Sequence, residues 1–132
     1  MKEITIVASN DVGSLAAVAE ALGGTGVNIE AISAYGRDGD AIFRVITNDF
    51  TTASKQLSRL PNVKKVDEAD VLLIKLINRP GELGKLTRRL ANRGVNLESL
   101  YIVSRKQDFT EVAVKPEKSH FKEAKELLGI RE

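Results

Sequence analysis

Asn10 and Asn78 each open the same short pattern, Asn-x-x-Gly-x-Leu, spanning Asn10–Leu15 and Asn78–Leu83. Each pattern follows an alternating apolar segment and precedes a helical one, and its parts suit the capture of a small zwitterion. Glycine lets backbone come close to a ligand. The helix behind it offers unpaired N–H groups and the positive end of its dipole to a carboxylate. An asparagine amide both donates and accepts. The same residues would also serve simply to close a turn and cap a helix, and spacing alone favours that plainer role. Material for catalysis is thin. The single histidine, His120, stands at the start of the last helix, a place for a solvent-exposed or capping role. Glu30 and Glu98 recur at one repeat position, but as outward-facing residues of a second strand rather than as an acid–base pair. Ser-His-Asp and metal-ligand spacings are absent, so neither catalytic residues nor a metal or other cofactor is expected. Lys85, Arg88, Arg89 and Arg93 make one helix basic on one side; we read them as a solvated face rather than a contact for an acidic protein or RNA.

The elements that must position these residues repeat. At an offset of 68 residues, eight of the 23 positions from Asn10 to Ile32 are identical without a gap, including Leu22 with Leu90 and Gly26-Val27-Asn28 with Gly94-Val95-Asn96. In the first copy Glu3–Ser9 alternates as a strand, with Glu3, Thr5 and Ser9 on the face away from the helices. Gly13–Gly23 carries Leu15, Val18, Ala19 and Leu22 at helical spacing, and the glycines that follow end it. Val27–Tyr35 and Ala41–Thr47 read as strands joined by a turn at Arg37-Asp38-Gly39-Asp40. A second helix, capped by Thr51 or Thr52, carries Ala53, Leu57 and Leu60, and Val63–Val66 is a short last strand. The second copy runs Val71–Ile77, Gly81–Asn92, Val95–Ser104, Phe109–Lys115 and a helix near Ser119–Leu128, leaving little chain for a last strand. This predicts an α+β chain of two ferredoxin-like βαββαβ modules in tandem, residues 1–68 and 69–132, with antiparallel sheets and the helices on one face. Asp67-Glu68-Ala69-Asp70 reads as a tight junction.

Composition sets the broad class. The chain is 42% hydrophobic and 29% charged, with 20 basic and 18 acidic residues giving a net charge of +2. Because those charges are spread along the chain, nucleic acid is not an expected partner. Without cysteine there are no disulfides or thiolate metal sites. No apolar run approaches the roughly 20 residues needed to span a bilayer, and Met1-Lys2-Glu3-Ile4 does not open a signal peptide. A cytoplasmic protein without a membrane partner is expected.

Asn78-Arg79-Pro80-Gly81-Glu82-Leu83 followed by Arg93-Gly94-Val95-Asn96-Leu97 resembles the signature of the ACT domain, as found in the regulatory domain of phosphoglycerate dehydrogenase. Gly94–Leu100 is also similar to the small regulatory subunit of acetolactate synthase. The resemblance occurs once per copy and is stronger in the second. It implies an amino-acid-binding regulatory protein that modulates a separately encoded biosynthetic enzyme; the alternative is a ligand-free scaffold for protein association. It implies modules paired through their second strands into one continuous sheet. It also implies ligand sites between the loop of one module, with Asn10, Asp11, Gly13 and Leu15 or Asn78, Arg79, Gly81 and Leu83, and the second strand of the other, with Asn28 and Ile29 or Asn96 and Leu97. Pro80 and Arg79 make the pocket of Asn78 and Asn28 the better one expected, since Val12 and Asp11 stand at those positions in the first copy.

At least a homodimer is expected too. Val71, Leu73 and Ile77 make the first strand of the second copy apolar on both faces, and a last strand that is short or absent leaves it at an edge.

Overall fold

The structure, a computed structural model, describes residues 1–130. Its contacts divide the chain into two compact units, one spanning Lys2–Asp70 and the other running from Val71 onward together with Met1. The first unit contains β1 (Lys2–Ser9), α1 (Ser14–Gly24), β2 (Ile29–Arg37), β3 (Asp40–Thr47), α2 (Phe50–Leu57) and β4 (Val63–Asp70). Its strands form an antiparallel sheet in the order β2-β3-β1-β4. Alternation along β1 sends Ile4, Ile6 and Ala8 to the helix side, where they meet Ala41, Phe43 and Val45 of β3. Val18 and Leu22 of α1 and Ala53 and Leu57 of α2 close this core, each at helical spacing.

Two local readings of this unit change. The cap of α2 is Asp49 rather than a threonine: its carboxylate accepts from the Thr52 N–H at 3.1 Å and from the Thr52 hydroxyl at 2.7 Å. Asp49 precedes the helix with extended backbone, which lets a short carboxylate reach the first-turn donors. Strand β4 is also longer than expected. Asp67–Asp70 is not a loop but the end of that strand, held by pairs that reach Lys2↔Asp70, and this moves the boundary between units to Asp70/Val71.

The second unit contains β5 (Leu72–Ile77), α3 (Glu82–Asn92), β6 (Leu97–Arg105), β7 (Phe109–Pro116), a 3-10 turn at Lys118–His120 and α4 (Phe121–Leu127). Its sheet has three strands, β5-β7-β6, and no fourth among the described residues. Leu72, Val112 and Val114 form its core with Leu86 and Leu90 of α3 and Ala124 of α4. Strand β5 is therefore an edge. Of its second apolar face, Val71 is buried and Leu73 half-buried within the single chain, while Ile77 stays 57% exposed. Lys75, which interrupts that face, holds its ammonium 4.3 Å from the centre of the Phe109 ring.

The strands thus make two separately hydrogen-bonded sheets instead of the single one expected, and β2 and β6 each keep an unpaired edge among the described residues. Glu3 lies on the helix-free face of the first sheet, as alternation along β1 expects, and is buried there together with Ile42 and Ile46. The Glu3 carboxylate accepts from Arg44 Nη1 at 3.2 Å and from the Thr5 hydroxyl at 3.3 Å. Burial alone pulls the Arg44 guanidinium toward deprotonation, but its hydrogen bond to Tyr35 and the charge of Glu3 outweigh that and raise its pKa.

Removing one member of this pair leaves a buried charge without its counterion. Glu3→Ala is expected to destabilise the protein by about 3 kcal/mol in urea unfolding. At the α2 cap the acid dependence has a definite sign. Hydrogen bonds from Thr52 hold the Asp49 carboxyl below its ordinary value. The stability it contributes is therefore present above the unfolded carboxylate range and lost as pH falls through the lowered folded value. Asp49→Asn should flatten the acid limb of a plot of melting temperature against pH.

Candidate functional site

In both units the strand-to-helix turn is made by a glycine in the left-handed region, Gly13 at φ 91° and Gly81 at φ 88°. This turn lets the helix begin directly, and neither α1 nor α3 receives a side-chain cap. Their first-turn N–H groups lack helical acceptors and point out of the helix end. α2, with its Asp49 cap, is the contrast.

Beside each turn lies a cleft on the helix side of the sheet. In the first unit it measures about 550 Å³, and Asn10, Asp11, Gly13 and Leu15 line its mouth. Ala19 of α1, Ala34 and Gly36 of β2, and Ala41 and Phe43 of β3 form its interior. Asn10 Nδ2 occupies the space above Gly36: a Cβ on that glycine would lie 2.9 Å from it. In the second unit the corresponding cleft measures about 120 Å³, lined by Asn78, Arg79, Glu82, Leu83, Ile102 and Arg105 among others. The roomier cleft is thus the one at Asn10, the reverse of the ranking drawn from Pro80 and Arg79. Gly81 shapes the turn without lining the cleft.

The strand asparagines lie elsewhere in their units. Because β2 runs parallel to β1, Asn28 sits just before β2 at the end of the sheet opposite Asn10, and Asn96 is placed likewise before β6. The Asn28 N–H donates to Asn48 Oδ1 at 2.9 Å. Asn96 donates its side-chain amide to Glu117 at 2.6 Å, and its N–H to His120 Nδ1 at 3.4 Å. Ile29 and Leu97 open β2 and β6 and pack against their own cores. His120 is thus an acceptor for backbone and does not cap α4. Glu30 and Glu98 are exposed on the second strands, with Glu98 3.6 Å from Lys115.

Tyr35 and Gly36 were not among the candidate residues. The signal for Gly36 was available: it lies where the second strand reaches the level of the loop asparagine, and only there does a missing side chain make room.

The ACT domain family matches residues 71–130. No functionally curated protein matches the sequence. Among solved structures, a protein of Bacteroides thetaiotaomicron shares 27% identity at a TM-score of 0.84, over 97% of this chain and 85% of that one. The ligand-free regulatory subunit of aspartate kinase from Thermus thermophilus shares 16% identity at a TM-score of 0.70, over 97% and 90% of the respective chains. The aspartate kinase of Clostridium acetobutylicum shares 15% at a TM-score of 0.60, over 97% of this chain and 32% of that one. At the latter identities the likeness is one of fold. Element order, sheet topology and the family match over residues 71–130 together define an α+β, ferredoxin-like fold of the ACT type. Among the described residues, no helix is long and apolar enough to cross a membrane.

The left-handed turn makes a quantitative demand. Nothing lies within 4 Å of a Cβ built on Gly13, so the cost of a side chain there is conformational alone. Gly13→Ala should destabilise the protein by roughly 1–2 kcal/mol in denaturant titration.

Proposed function

We propose that this protein is a tandem ACT regulator, with two modules divided at Asp70/Val71, that binds an amino acid and passes its occupancy to a separately encoded enzyme of amino-acid metabolism. The observation that carries this is the joint presence, at one cleft, of an uncapped helix start and the Asn10 amide. The first suits a carboxylate and the second either end of a zwitterion. The proposed ligand-binding residues are those of the loops, Asn10, Asp11, Gly13 and Leu15 with Asn78, Arg79, Gly81 and Leu83. The strand residues Asn28, Ile29, Asn96 and Leu97 are proposed as further ligand contacts. The likeness to a regulatory subunit of aspartate kinase supports the pairing with an enzyme. The output is carried by assembly: a ligand shifts an arrangement by its differential affinity for two states.

A second reading, a ligand-free scaffold, draws on β2. This edge strand exposes Ile32 at 43% and Tyr35 at 42%, a surface suited to pairing with another chain, and the same feature favours a homodimer. A melting-temperature screen against the proteinogenic amino acids separates the two readings. A ligand at 100 times its dissociation constant stabilises by about 2.7 kcal/mol, a clear rise in melting temperature. No rise with any amino acid, together with a dimer by light scattering, would favour the scaffold.

A further inference from the structure

We infer that the cleft of the first unit alone takes ligand, an α-amino acid with an uncharged, apolar side chain, and that the second unit closes the matching cleft with its own side chains. This inference rests on the amino-acid-binding reading above.

Strand register aligns the two clefts row by row. Across the first sheet, one row on the helix face is Ala8–Ala41–Gly36, and the next is Ile6–Phe43–Ala34. The equivalent rows of the second sheet are Leu76–Thr110–Arg105 and Ile74–Val112–Ile102. On the second strand, where the cleft opens, glycine and alanine are thus replaced by arginine and isoleucine. Those two substitutions alone place many heavy atoms where the first unit has space, in keeping with cleft volumes of about 550 and 120 Å³.

The polar groups differ in the same sense. In the second unit Asn78 Nδ2 is committed to the Lys106 carbonyl at 2.8 Å. Glu82 stands in the first turn of α3, where its carboxylate meets the positive helix end and pairs with Arg79 and Lys85. The hydrogen bond from Arg79, with the two cationic charges, holds the Glu82 carboxyl below the ordinary range against a smaller opposing effect of burial. The anion that a helix start favours is therefore already supplied from within. The first turn of α1 has no acidic residue; Ser14 stands there and donates its hydroxyl to the Ser9 carbonyl at 2.6 Å. The Asn10 amide makes no side-chain hydrogen bond among the described residues, and the Asp11 carboxylate no ion pair.

These groups specify a ligand chemistry. A carboxylate meets the start of α1, and an ammonium is matched by Asp11. The side chain then lies over Ala19, Ala34, Ala41 and Phe43, none of which has a side-chain polar group. An acidic side chain would face Asp11, and a basic one would be desolvated against alanine and phenylalanine without a counterion.

Titration calorimetry of the full chain tests this with leucine, valine, aspartate and lysine. Expected are one site per chain, leucine or valine bound more tightly than aspartate or lysine, and a loss of at least about tenfold on Ala34→Ile. Gly36→Ala, at an edge strand with only the Asn10 amide to move, is expected to weaken binding several-fold while the unfolding curve stays near that of the wild type; it decides the matter if Ala34→Ile fails to fold. Two sites per chain, preference for a charged side chain, or binding untouched by both substitutions overturns the inference and leaves the amino-acid reading standing. No binding of any amino acid to the wild-type protein overturns that reading and the inference with it.

Discussion

A helix that begins directly at a left-handed glycine has no side-chain cap, and beyond the turn bonds of the Ser14 and Glu82 N–H groups to the Asp11 and Arg79 carbonyls its first-turn donors lie outside the helical ladder; that constraint organises the loop end of each unit. Gly13 and Gly81 set the direction of α1 and α3 while supplying no cap. The freed donors need an acceptor from water, a side chain or a ligand. The two halves differ in the charge they place beside that helix end rather than in a cap. In the second half Glu82 brings a carboxylate to the helix end; in the first, no acidic side chain stands in that turn.

Around that turn the sheet acts as a ruler. Antiparallel pairing places β2 and β3 residues at fixed levels opposite the loop, so cleft size depends on a few positions on the helix face. Ala34, Gly36 and Ala41 keep it open in the first unit, and Ile102, Arg105 and Thr110 reduce it in the second. The rest of each core need not change for this. Ile4, Ile6, Val18 and Leu22 do in one unit what Leu72, Ile74, Leu86 and Leu90 do in the other. Site and scaffold can therefore diverge separately within one fold, which is why an identical Asn-x-x-Gly-x-Leu pattern frames two unlike clefts.

The first sheet also carries a cost on its other face. Glu3 and Arg44 are buried together, with Thr5 and Tyr35 as hydrogen-bonding neighbours. Such a pair adds little net stability over an apolar one, but it penalises any arrangement that separates its members. Tyr35 belongs to the edge strand that also lines the cleft, so the ion pair and the cleft share one structural element.

The sequence by itself determined the repeat, the element order, the helix faces and the turn. Each of these rests on local periodicity or on residue types with narrow backbone preferences, such as Gly13 after Asn10 or Gly39 after Asp38. Tertiary structure decided what depends on residues far apart in the chain. Alternation places Glu3 on the face away from the helices, and only its pairing with Arg44, 41 positions away, makes its burial there intelligible. Asp67–Asp70 reads as a polar junction, yet pairing with Lys2 and its neighbours draws it into a strand. The unlike capacities of the two clefts belong to the same class. They arise from Gly36 and Arg105 meeting the loop asparagines across a strand register, and local sequence carries no signal of who stands opposite whom.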